Sequence, residues 1–353
     1  MDRFGFRGAQ TVDRTVIVLV MKRDVMGSYR RLFQSVCFCL AAFASQTVLA
    51  QTPTPTPTLQ GLRGIQIEYK EPVNAEHRPV YERLKRRMVL EEYKEFMSPL
   101  KFTRALHVSL SGCNGVVNAF YQAGDRRITY CYEYIVQMQR RIAEADMLPG
   151  FRREDAVVGE FVNTMLHETG HALFDMFDIP VFGREEDAAD AVASFVALRV
   201  GSTTARRILT GTAFAWRASD LWRQKNRNSP RSFTDYADEH GTESQRFFNT
   251  LCIALGSDTV ERTTVFSDFV ALLPEGRRVR CGREYLHVKK AFTRYVLPHV
   301  DLDLMKKVQA REWIRSEDGS EATPPGPLGP TGPAGPTPGP NNPRPPTFGP
   351  TPR

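Results

Sequence analysis

Leu166-His167-Glu168-Thr169-Gly170-His171-Ala172 sets two histidines four residues apart inside an apolar helical pattern. On an α-helix such residues project from one face, so both rings can offer a nitrogen to a single zinc ion. Glu168 stands beside them, in position to take a proton from water at that ion. Val158, Phe161, Val162, Met165, Ala172 and Met176 recur at three- and four-residue spacing. That periodicity packs the helix into a core and keeps the histidines near its active face. The blander reading, two ordinary histidines on a partly buried helix, loses ground to the segment that follows.

Fifteen residues after His171, Glu186-Asp187-Ala188-Ala189-Asp190 opens a second helical pattern. A catalytic zinc needs three protein ligands and one open position, and Glu186 can supply the third ligand as a carboxylate oxygen. Asp190 lies one turn further along the same face, where it can accept the spare N–H of a ligating histidine. Glu185 competes with Glu186 as ligand, but four residues beyond it stands Ala189, which can make no such bond. Ala188, Ala189, Ala191 and Ala193 would let the two helices approach closely. Against this stands a solvated acidic helix start, favoured by the helix dipole.

His167-Glu168-x-x-His171 followed by Glu186-x-x-Ala189-Asp190 resembles the zincin metallopeptidases of the glutamate-ligand type. More narrowly, Cys113 to Asn118, Cys131-Tyr132-Glu133, LHETGHALFD, GREEDAAD, and ADEH with Gln245-Arg246 resemble a bacterial metallopeptidase family of unknown substrate, over residues 61 to 315. The resemblance implies a zincin-like fold, one Zn2+ per chain held by His167, His171 and Glu186, and Glu168 as general base. It also implies a peptide or protein substrate. In that architecture a sheet edge borders the cleft, and a substrate peptide adds to it as a strand. The strand near Leu106 to Leu110 or the Val116 hairpin is the expected edge.

The chain ends have their own character. Residues 32 to 44 are apolar, preceded by Arg30 and Arg31 and followed by Val48-Leu49-Ala50, as in a secretory signal with a small-residue cleavage site. Residues 1–50 are expected to be that signal, with Met21 or Met26 as the true start. The apolar core is shorter than the roughly 20 residues that span a bilayer, so no membrane span is expected in the mature chain. Export, to periplasm or medium, follows. Residues 51–60 form a Thr/Pro linker, residues 61–315 one large domain, and residues 316–353 a Pro/Gly-rich tail. Such a tail cannot bury enough apolar surface to offset its chain entropy, and contact with the cell envelope is its expected use.

Cysteine usage agrees with export. Cys37 and Cys39 fall in the signal, and Cys113, Cys131, Cys252 and Cys281 remain. Four cysteines in an oxidising compartment allow three pairings. The favoured one joins Cys113 to Cys131, flanking a hairpin, and Cys252 to Cys281. A zinc-thiolate site is disfavoured because no CxxC spacing remains. Of the formal +7, seven Lys/Arg against three Asp/Glu lie in residues 1–50, which leaves +3 for the rest. With no basic helix carrying interleaved aromatics and no phosphate loop, a nucleic-acid partner is not expected.

Pattern reading gives an α+β chain, with a small mixed sheet early and a mostly helical later half. Strands are expected at Gly64 to Tyr69, Ala105 to Leu110, Val116 to Tyr121 and Arg127 to Cys131, and helices at Val80 to Phe96 and Tyr132 to Ala145. From Thr203 onward Phe214, Trp216, Leu221 and Trp222 are core candidates. His240 is either a hydrogen-bond donor to an oxyanion or a cap for the next helix, and Tyr236 is a weaker donor candidate. Arg246 either clamps a substrate carboxylate or pairs with a buried acid, the second being favoured. His287 and His299 have no metal spacing to a partner and are assigned to structure. Two other functions fit the motifs: an exported binding or scaffold protein, and a zinc amidohydrolase acting on cell-wall amides. A binder has no need of the base Glu168.

Overall fold

Four short segments pair into one sheet: β1 (Ile65–Tyr69), β2 (Leu106–Ser111), β3 (Ala119–Gln122) and β4 (Arg127–Cys131), in the order β1-β2-β4-β3. β1 and β4 each run parallel to β2, while β3 and β4 form an antiparallel hairpin. These strands belong to a computed structural model that describes residues 64–146, 151–226, 231, 233–311 and 313. The chain divides into two units, residues 1–56 and 57–353. The first unit lies outside the described residues, as do the expected signal, linker and tail.

The sheet corrects two expectations. β2 is interior, with Leu106, Val108, Ser109 and Leu110 all buried. It pairs with β1 on one side and β4 on the other, so the edges are β1 and β3, and β3, from the expected Val116 hairpin, is the one against α4. That strand begins at Ala119, while Val116 and Val117 are exposed. Asn114 and Gly115 have positive φ (53° and 89°), and the N–H groups of Cys113 and Gly115 donate to the Glu133 carboxylate at 2.9–3.1 Å. The backbone there is committed to a turn and has no ladder to join.

The helix expected over Val80 to Phe96 is two helices, α1 (Arg78–Arg86) and α2 (Val89–Phe96), broken at Met88 with φ 53°. No glycine or proline marks the break. The reason is tertiary: Leu90 N–H, in the first turn of α2, donates to Tyr69 Oη of β1 at 2.8 Å, and that hydroxyl donates to Glu91 at 2.7 Å. A strand residue thus satisfies a helix start that lacks a side-chain cap.

β4 runs directly into α3 (Tyr132–Glu144), and the disulfide Cys113–Cys131 ties that junction to the loop after β2, with Cα atoms 5.5 Å apart. α4 (Arg153–Met176) is the central helix. It crosses α6 (Ser202–Asn226) where Gly159 meets Gly211, and a Cβ at Gly211 would overlap the Asp155 carbonyl. Arg207 and Asp155 form a buried ion pair at that crossing, at 2.5 Å. α5 (Glu185–Ala197), α7 (Glu243–Glu261) and α8 (Glu275–Tyr295) complete the helical part around the site. The second disulfide, Cys252–Cys281, joins α7 to α8 with Cα atoms 4.8 Å apart. Phe214 and Trp216 are buried as expected, but Leu221 and Trp222 are half-exposed near the end of α6, where Trp222 Nε1 donates to Glu144. The result is an α+β fold with a four-stranded sheet and a mostly helical remainder. Among the described residues no helix is long and apolar enough to cross a membrane.

Candidate metal centre

α4 is polar along one buried line. Glu160, Asn163, Thr164 and His167 fall three or four residues apart on it and all are buried. His171 continues the same face one turn on. Opposite this line comes α5, and the two helices touch where Gly170 meets Ala189: a Cβ at Gly170 would stand 3.1 Å from Ala189 Cα. Ala189 and Ala193 are fully buried. The small residues on α5 let the helices come close enough for side chains from both to share one point.

At that point His167 Nε2 lies 2.9 Å and His171 Nε2 3.3 Å from Glu186 Oε2, and the two Nε2 atoms are 3.2 Å apart. These donor atoms lie within 4.8 Å of one another, as a set able to hold one ion must. Each histidine has its other nitrogen engaged: His167 Nδ1 by Asp190 Oδ1 at 2.8 Å, His171 Nδ1 by Glu185 Oε1 at 2.7 Å. A carboxylate on Nδ1 fixes the proton there and turns Nε2, as a lone-pair donor, toward a metal. Among the residues singled out in sequence, the structure therefore brings together His167, His171, Glu186 and Asp190. Glu185, set aside as a ligand, takes up the partnership with His171 that sequence reasoning did not foresee. The signal was its position, fourteen residues after His171 and on the outer side of the same first turn as Glu186.

Asp190 is itself held. Arg246 of α7 donates to it through Nε at 2.7 Å and Nη2 at 2.6 Å, and the Arg246 guanidinium lies over the Trp216 ring at 3.8 Å. This is the pairing with a buried acid, and it links α7 to the histidine pair through one carboxylate. Burial opposes charge on Asp190, but Arg246 and His167 outweigh it and hold the carboxyl below its usual range. Burial also opposes an imidazolium at His167, yet Asp190 and Glu186 raise its pKa to about 9. Glu186, despite the cost of burial, is held far below the ordinary carboxylate range by the imidazoles around it.

Glu168 is buried and stands next to the donor set without joining it. Burial is the first cause of its raised pKa, which the nearby histidines partly offset. On the open side, His240 sends Nε2 to within 2.8 Å of Glu186 Oε2, and its ring stacks on that of His167 at 5.8 Å. Glu239 and His240 form a second donor set with Glu186. His240 does not cap α7; Thr242 does, in a capping box with Gln245. Tyr236 is exposed, His287 is exposed on α8, and His299 stacks on Phe177 at 4.1 Å. Sequence reasoning also missed Glu160. Its Oε1 accepts from Tyr134 Oη at 2.8 Å, and burial raises its pKa. Cys113 and Cys131, which lie near Glu133, are joined in a disulfide and are not metal thiolates.

A helix-borne histidine pair and a carboxylate from a second helix make a group that could hold a metal ion, with the buried Glu168 beside it. The chain belongs to the DUF4344 family, described as "Putative metallopeptidase", whose model matches residues 69–296. No curated protein and no solved structure matches the chain.

Proposed function

We propose that the chain is an exported zinc metallopeptidase of the glutamate-ligand zincin type, which hydrolyses peptide bonds in peptide or protein substrates. The observation that carries this reading is the convergence of His167 Nε2, His171 Nε2 and Glu186 Oε2, with Asp190 and Glu185 occupying both Nδ1 atoms. Zinc held there supplies Lewis-acid polarisation of a carbonyl and lowers the pKa of a water towards about 7.

The chain's own residues do the rest. Glu168 takes the proton from the attacking water and delivers it to the leaving amine, so no covalent intermediate is needed. Burial favours its neutral form, which suits a group that must hold a proton between those steps. His240, on the loop before α7, donates to the oxyanion from the open side. Asp190 and Arg246 keep the His167 ring aimed. Edge strand β3 accepts the substrate backbone as an added strand, and Tyr121 of that strand donates to Asp175 of α4 at 2.7 Å, which fixes the edge against the catalytic helix. Export is supported by the two disulfides and by the apolar segment at residues 32 to 44.

The test pairs metal content with turnover. The purified chain should hold about one zinc per chain and cleave an unstructured protein such as casein. Glu168→Gln should hold zinc as well as the parent and lose turnover about 10²-fold or more. Full zinc loading without cleavage of any unstructured protein, or undiminished cleavage by a zinc-loaded Glu168→Gln chain, would overturn the reading.

A further inference from the structure

Part of the apolar stripe of α4 borders open space, although Phe161 also meets Tyr130 of β4 at 4.9 Å. Val158, Phe161, Val162 and Met165, the residues whose spacing placed them in the core, line a cavity of about 720 Å³ on the side of α4 away from the histidines. Val158, Phe161 and Val162 remain half-buried for that reason. The facing wall comes from α1, α2 and α3, with Leu84, Phe96, Ile135 and Met138, and Trp313 closes one side. This volume falls within the about 300–1,000 Å³ typical of small-molecule sites.

The lining also carries charge: Arg207 is paired with Asp155, and Arg152 lies 3.9 Å from the same carboxylate. Arg152 donates to Glu154 at 3.0 Å. Arg153 donates to the carbonyls of Ile142 and Ala145 at 3.3 and 3.0 Å, neutral acceptors that leave its charge in place. An occupant that is apolar over most of its length and carries an anionic group for Arg153 matches this lining. A peptide strand fits poorly, because its N–H and C=O groups would be buried against aliphatic walls without partners. An acyl chain has no such groups.

We propose that this cavity binds a single-chain amphiphile with an anionic head, its chain lying along Val158, Phe161 and Val162 and its head at the Arg152–Arg153 side. The site is separate from the metal centre but shares a wall with it. Tyr93 lines the cavity and its hydroxyl meets Thr169 Oγ1, next to Glu168, at 2.7 Å.

The test is a titration of the full chain with hexadecanoate, dodecyl phosphate and hexadecanol below their aggregation limits, followed by calorimetry and tryptophan fluorescence. Saturable binding of one anionic amphiphile per chain is expected, with the alcohol weaker by about 10-fold or more for want of the charged contact. The carboxylate and phosphate arms show which head the arginines prefer. Val158→Trp, which fills the cavity, should weaken hexadecanoate by about 10-fold or more. Ala143→Trp, at an exposed lining position on α3, should do the same without loading the core, and it decides the matter if Val158→Trp does not fold. Arg153→Glu should weaken the anions and spare the alcohol. The proposal is overturned if the parent shows no saturable binding. It is also overturned if the alcohol binds as tightly as the acid, or if a folded cavity-filling variant binds like the parent. The measurement needs neither metal nor turnover, so its failure leaves the metallopeptidase reading where it stood.

Discussion

Arg246 grips Asp190 with two hydrogen bonds, at 2.7 and 2.6 Å, while the same carboxylate meets His167 Nδ1 at 2.8 Å. The aim of a candidate metal ligand on α4 thus depends on a guanidinium from α7, carried through a carboxylate of α5. Arg246→Lys keeps the charge but loses the planar fork that makes two parallel bonds. Both Arg246→Lys and Asp190→Asn should lower zinc affinity by about 10- to 100-fold, the usual scale for such supporting groups. Chelator competition on folded protein measures this. Parent-like affinity in both variants would remove the chain from Arg246 to His167 as a determinant of metal binding.

The two adjacent glutamates should behave differently. Glu186 faces both Nε2 atoms, and its removal should cost most of the zinc affinity, since two ligands remain. Glu185 touches only the far nitrogen of His171 and its side chain is 55 % exposed. Glu185→Ala should lower affinity by no more than about 10-fold, at the weak end of the range for outer groups. A larger loss from Glu185→Ala than from Glu186→Ala would transfer the ligand role to Glu185.

What was readable in the chain follows the distance over which each feature is made. The histidine pair, Glu168 and the Glu186–Asp190 repeat are spaced by one helical turn, so a linear pattern carries their geometry. The Cys113–Cys131 disulfide spans 18 residues and closes around a hairpin, which is nearly as local. The α+β order was legible for the same reason. The break at Met88 was not, because its support is Tyr69 on another strand. Nor was the interior place of β2, which depends on partners far along the chain, or the meeting of His240 with Glu186, which requires the loop before α7 to return over α5. The apolar stripe on α4 packs as its spacing predicts at Met165, Ala172 and Met176, while Val158, Phe161 and Val162 also border a cavity. Periodicity says which face avoids water, and cannot say whether protein or an open cavity lies against it.

The crossing of α4 and α6 allows a stability prediction. Gly211 faces the Asp155 backbone so closely that a methyl group would overlap the carbonyl. Backbone on both sides leaves nothing flexible to move. Gly211→Ala should therefore destabilise the domain by about 1–3 kcal/mol or more, as overpacking does, despite alanine's better helix propensity. Urea denaturation with an unchanged m-value and a lower midpoint would agree. A parent-like or raised midpoint would show that the helices separate without cost. The crossing would then not fix α4.

Glu133 provides a pH test away from the metal centre. Burial pushes its carboxyl up, but N–H donors, including those of Gly115 and Cys113, outweigh this and hold its pKa below the ordinary value. Because the folded pKa is the lower one, the unfolded chain binds the proton more readily. The stabilisation is therefore complete above the unfolded value of about 4.3 and is lost as pH falls through the lower folded one. Glu133→Gln removes the charge while keeping the size. It should lower stability at neutral pH by about 1 kcal/mol, the scale of a charge-assisted hydrogen bond open to water, and the gap to the parent should close below the folded pKa. Thermal midpoints of both proteins from neutral to acidic pH read this out. A gap that stays constant across that range would mean that Glu133 holds the Cys113–Gly115 turn by shape and not by charge.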